Sequence, residues 1–158
     1  MSGPESAVLW LLVVFGGIAA GAGFYEMRVA LPLWFPRSGG AVRVDAETMR
    51  RMDSGRRFWA YVTTVPLTLL TLASLALAWG LDTPRGGWWL AAACVGLVER
   101  AATFGYFIPN AVRLMRAESL PAAQAAASAG RWIALNRLRM LLALIAWLAA
   151  LRALSLPG

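Results

Sequence analysis

The chain has no histidine, no lysine and one cysteine, and only 8 of its 158 residues are acidic. Without histidine there is no His-ligated haem, no His-containing zinc site and no imidazole base. Cys94 on its own cannot form an intrachain disulfide. Only Glu26 and Glu99 fall within apolar stretches, too few for a carboxylate-only metal site. All 15 basic residues are arginine, the net charge is +7 and the pI is near 11.2.

The chain is 59% hydrophobic with a mean hydropathy of +0.61, too apolar for an ordinary soluble domain. A membrane-spanning helix needs about 20 apolar residues. The segments 7–35, 59–81, 88–112 and 132–156 meet or approach that length, which predicts an all-α, antiparallel four-helix membrane bundle forming one domain. The apolar start lacks the positive n-region of a secretory signal and is expected to be a retained span.

Most arginines crowd the connections 36–58 and 113–131 or the helix ends beside them, whereas Arg85 and Arg152 stand alone on the opposite side. In a soluble protein this charge would suggest nucleic acid, but here it matches the positive-inside pattern. The expected location is the cell (inner) membrane, with both termini outside, basic loops in the cytoplasm and no nucleic-acid partner. Arg28, Arg113 and Arg137 are expected to snorkel to the interface. Trp34, Trp59, Trp88, Trp89 and Trp132, at span ends, are expected to anchor there. Asp45 is placed to cap a short helix running to about Arg51, helped by Glu47 four residues before Arg51. Gly17 and Gly21 form a GxxxG pair suited to close helix approach within the bundle or in a homo-oligomer.

Glu26, Arg28, Glu99, Arg100 and Arg139 break the apolar stretches. Charge at membrane depth costs roughly 2.5–3.5 kcal/mol per residue on insertion scales, so such residues mark a candidate site. Polar residues share faces when read at helical spacing: Glu99, Thr103, Tyr106, Asn110 and Arg113 form one stripe, and Tyr61, Thr64, Thr68 and Thr71 a second. Trp132, Asn136 and Arg139 form a third. At about 1.5 Å per residue, Glu99 lies near the midplane and most of the others roughly 6–12 Å towards the arginine-rich side. Pro32, Pro66 and Pro109 fall in the same half, where freed carbonyls need polar company or a cavity. The pattern predicts an internal polar pocket in the cytoplasmic half, with Glu26–Arg139 and Glu99–Arg100 as ion pairs.

Four stretches resemble the small four-span family that includes the anthrone oxygenases. They are the glycine/alanine-rich first span ending in FYEMRVALP (24–32), IPNAVRLM (108–115), the long loop after it, and RWIALNRLRMLLALIAW (131–147). Glu26, Asn110, Trp132 and Arg139 are the matching positions. The resemblance implies cofactor-free oxygenation of a lipophilic, ring-containing phenolic substrate that enters from the lipid bilayer. The expected catalytic residues are Glu26 or Glu99 as base, with Arg139 and Arg100 stabilising the resulting anion. Tyr61, Thr64, Thr103, Tyr106, Asn110, Trp132 and Asn136 are expected to bind substrate. The same groups suit isomerisation, cyclisation or epoxide opening. A small proton-coupled transporter and a non-catalytic assembly subunit are the alternatives.

Overall fold

The computed structural model describes residues 3–157. The chain is all-helical apart from a two-residue hairpin, β1 (Arg37–Ser38) with β2 (Ala41–Val42). Four helices are long and apolar enough to cross a membrane: α1 (Gly3–Trp34), α3 (Gly55–Ala78), α4 (Pro84–Leu114) and α5 (Ala122–Ser155). Between the first two lies the short helix α2 (Ala46–Met52). In the long helices α1 packs on α3 and α5, and α4 packs on the same two, so the contacts close into a ring.

Local chemistry sets the boundaries. The PRSGG segment ends α1 and turns the hairpin, with Gly39 and Gly40 in the positive-φ region that glycine adopts without strain. Asp45 caps α2 by accepting from the Thr48 N–H at 2.8 Å, and Glu47 reaches Arg51 at 2.5 Å, as their spacing predicts. Thr83 caps α4 through Gly86 N–H at 3.0 Å, with Pro84 in its first turn. The alanine-rich segment after Pro121 is the start of α5, which runs through Gly130 without a break.

Three helices depart from regular α geometry, each in the same way. Segments 26–30 of α1, 55–64 of α3 and 103–107 of α4 wind as π-helix, and Pro32, Pro66 and Pro109 each follow two residues later. A proline ring has no N–H to donate and crowds the carbonyl one turn back. The residue before each proline instead bonds five residues back: Leu31 to Glu26 O, Val65 to Ala60 O and Ile108 to Thr103 O. Helix α5 has no internal proline and stays regular.

Two apolar clusters lie towards the two ends of the ring. Leu9, Leu12, Val13, Trp89, Ala150 and neighbours fill one end. At the other, Trp34, Phe35, Phe107 and Trp132 stack edge-on, and Met49 of α2 tucks under them. Trp34, Trp89 and Trp132 turn inward and are buried rather than standing on the outer surface; of the five, Trp88 is exposed. Small residues pack in the same clusters as these rings, Ala30 and Ala129 with Trp34 and Trp132, and Ala19, Ala78, Ala92 and Ala150 with Trp89. The outward faces carry Leu11, Leu69, Leu72, Val98 and Leu148, a belt of exposed large apolar side chains suited to lipid.

Gly17 meets Trp147 of α5, where an added Cβ would lie 3.3 Å from the indole, so this half of the GxxxG pair serves contact within the chain. Trp147 Nε1 donates to Val13 O at 3.0 Å, tying α5 to α1. Gly21 faces open space and Cys94 is exposed. Arg28, Arg113 and Arg137 are exposed as well.

Candidate functional site

A cavity of about 530 Å³ runs through the interior and borders both apolar clusters. All four long helices contribute to it. Glu26 comes from α1, Thr63 and Thr64 from α3, Glu99, Arg100 and Thr103 from α4, and Trp132 and Arg139 from α5. Its size falls in the range of small-molecule sites, about 300–1,000 Å³.

The π segments account for which side chains reach this space. Glu26 opens one segment, Thr63 and Thr64 close another, and Thr103 opens the third. A π turn holds more residues than an α turn, so side chains beyond it leave the face that regular spacing assigns.

The two buried carboxylates differ in how they are held. Glu99 is hydrogen-bonded at both oxygens: Oε2 accepts from Arg100 Nε at 2.5 Å and from Arg100 Nη2, and Oε1 accepts from Thr103 Oγ1 at 3.0 Å. Glu26 is held loosely. Its Oε2 has no hydrogen bond, and the Arg139 guanidinium stands 3.6 Å away. Arg139 is itself positioned by aromatic faces, its Cζ lying 4.6 Å from the Phe107 ring centre and 5.9 Å from that of Trp59.

Three residues that line the cavity each carry a buried polar atom with no hydrogen-bond partner within the protein: Glu26 Oε2, Arg100 Nη1 and Trp132 Nε1. Unmet polar groups in a protein interior are costly and uncommon, about 1–3 kcal/mol each, and a ligand or water satisfies them.

The sequence-predicted residues divide. Glu26, Thr64, Glu99, Arg100, Thr103, Trp132 and Arg139 line the cavity. Tyr61, Tyr106, Asn110 and Asn136 do not. Tyr61 is 76% exposed on the outer surface, because the π winding of 55–64 turns it away and brings Thr63 inward instead. The same effect in 103–107 buries Phe107 where regular spacing predicts Tyr106. Asn110 donates to Tyr106 O at 2.8 Å, a bond to its own helix backbone beside Pro109. Asn136 is fully buried, with neither amide atom hydrogen-bonded, outside the cavity lining. Thr68 Oγ1 likewise bonds back to Thr64 O at 2.6 Å.

Residues that the spacing argument did not single out complete the site. Trp59 and Phe107 flank Arg139, and Arg50, Asp53, Arg56 and Arg116 line the end nearest the arginine-rich connections. The far end is apolar, formed by Leu12, Gly16, Ala19, Ala146, Trp147 and Ala150. Among the described residues, no group of three or more His, Cys, Asp or Glu is placed to hold a metal. The chain matches no family model, no curated protein and no solved structure.

Proposed function

We propose that the protein is an integral membrane enzyme, similar to the anthrone oxygenases, that performs acid/base chemistry on a lipophilic, ring-bearing substrate held in the cavity. The observation that carries this reading is the pairing of a buried, hydrogen-bond-free Glu26 Oε2 with a nearby guanidinium in a ligand-sized space. A general base needs a lone pair within reach of the proton it takes. Glu26 has one, whereas both oxygens of Glu99 are occupied.

In this mechanism Glu26 takes the proton from an activated ring C–H. The electron pair moves through the conjugated ring into the carbonyl opposite, and Arg139 stabilises the enolate oxygen as its charge develops. In the oxygenation variant, dioxygen from the medium takes up the electrons. One oxygen atom becomes the new carbonyl and the other leaves as water. Arg100, oriented by Glu99, offers Nη1 to a second substrate oxygen. Trp132 Nε1 supplies a further donor, and the Trp34–Phe107–Trp132 cluster supplies a flat wall for a ring.

The four spans are read as an antiparallel bundle in the inner membrane, with both termini outside and the arginine-rich connections in the cytoplasm. The reading is tested by aerobic conversion of a tricyclic phenolic anthrone to its quinone by the protein in lipid nanodiscs. Turnover that disappears in Glu26→Gln and persists in Tyr61→Phe supports it. Turnover unchanged in Glu26→Gln removes Glu26 as the base.

A further inference from the structure

The charge lining the cavity is unbalanced: five arginines face three carboxylates. Two of the five are committed inside the protein. Arg100 is bound to Glu99, and Arg50 forms a two-pronged pair with Glu118, at 2.9 and 2.7 Å. Arg139 answers Glu26. Arg56 and Arg116 remain. Both are exposed at the arginine-rich end, both line the cavity, and neither has an ion pair or side-chain hydrogen bond to the protein. Asp53 is the carboxylate at that end, and no guanidinium pairs with it. The opposite end is apolar, with Leu12, Ala146 and the Trp147 ring.

A space with free guanidiniums at its open end and an apolar far end has the polarity of an amphiphile. We propose that the cavity takes an amphipathic organic anion, its carboxylate or phosphate head held by Arg56 and Arg116 and its apolar body extending towards Trp147. Guanidinium groups suit such heads because their planar donors bond two oxygens at once. The proposal rests on the cavity being the binding site of the proposed function and adds the class of substrate it selects. The same excess of positive charge disfavours a cationic cargo.

The lining holds Trp34, Trp59, Trp132 and Trp147, which makes occupancy directly readable. Bromine quenches indole fluorescence on contact. The probes are ω-bromoundecanoate, ω-bromoundecanol and ω-bromoundecylamine, added to the full chain in phosphatidylcholine nanodiscs, with partitioning into empty nanodiscs subtracted. The carboxylate is expected to quench saturably and to bind about tenfold tighter than the alcohol, with the amine weakest. Arg56→Gln/Arg116→Gln is expected to remove that preference. Arg57→Gln/Arg131→Gln removes two exposed charges outside the lining, and is expected to keep it, which separates the site from the general surface potential.

Nanodiscs containing phosphatidylglycerol distinguish the two sources of such a head. Loss of bromoundecanoate quenching there identifies a membrane lipid as the occupant, and undiminished quenching identifies a free acid. Equal affinity for all three probes, or a preference surviving in Arg56→Gln/Arg116→Gln, overturns the proposal while leaving the acid/base reading of Glu26 intact. Saturable binding by none of the probes overturns both the proposal and the cavity on which it rests.

Discussion

The Arg139 guanidinium stops 3.6 Å from Glu26 Oε2, close enough to share charge and too far to share a hydrogen bond. That separation leaves Glu26 with an unused lone pair in the bundle interior. Glu26→Gln removes an ion pair that has no hydrogen bond and leaves Arg139 over the Phe107 and Trp59 rings, so it is expected to fold, to lose less stability than a hydrogen-bonded pair would, and to lose turnover. Arg139→Met is expected to be the more damaging change, since it strands a carboxylate in the interior. Adding Glu26→Gln to Arg139→Met is expected to recover the lost stability. A thermal-shift series in detergent measures all three.

Glu99 plays a different part, and its substitution separates structure from chemistry. It holds Arg100 through two nitrogens and accepts a third bond from Thr103. Glu99→Gln leaves a buried guanidinium without its counter-charge, a change that typically costs about 3–5 kcal/mol. Reversible unfolding in mixed micelles should show Glu99→Gln far less stable than Glu26→Gln. Equal stability of the two would assign Glu99 no structural role.

Close packing of α1 on α5 supplies a third expectation. A Cβ at Gly23 would collide with the Met140 Sδ and Cε atoms. Those atoms are the flexible end of Met140, so Gly23→Ala is expected to destabilise by about 1 kcal/mol, the low end for overpacking a core, as the thioether swings aside. Met140→Ala in the same chain opens the space again, so a double-mutant cycle should show strong coupling. Gly21→Ala, where nothing lies within 4 Å, is expected to be neutral and serves as the control.

Acid should loosen the arginine-rich connections before it affects the spans. Bonds from Thr48 lower the Asp45 pKa, and the Arg50 guanidinium lowers that of Glu118. A carboxylate whose folded pKa is depressed contributes stability above its unfolded pKa, and that contribution fades as pH falls through the folded value. The capped start of α2 and the Arg50–Glu118 tie are thus intact at neutral pH and weaken below the ordinary carboxylate range. Carboxyl-carbon NMR titration should find both midpoints below those of the unfolded chain. Arg50→Gln should return the Glu118 midpoint towards its usual value and leave the Asp45 midpoint close to where it was.

Much of the helical layout was legible from the residues alone. Long apolar runs, three of them interrupted by charge, place the four candidate spans, and Asp45 with Glu47 and Arg51 marks the short helix between the first two. The acid–arginine pairs Glu26–Arg139 and Glu99–Arg100 also formed as their positions suggested. What regular spacing missed follows from one cause. Regular α-helical steps place Tyr61 and Tyr106 inward, but both lie in π segments that rotate them off that face. The signal was present in Pro32, Pro66 and Pro109, each of which requires its preceding turn to find another bonding pattern. The buried tryptophans had a second cause. Position at a span end says that an indole is near the interface, not which way it turns. Alanines on neighbouring helices decide that, and no single-helix pattern records them.

Carbodiimide labelling in native membranes tests the central claim most directly. A membrane-permeant carbodiimide reacts with a carboxyl group it can reach that is not already held by strong hydrogen bonds. Mass spectrometry of the labelled chain is expected to find Glu26 modified and Glu99 untouched. Modification of Glu99 with Glu26 left intact would contradict the account.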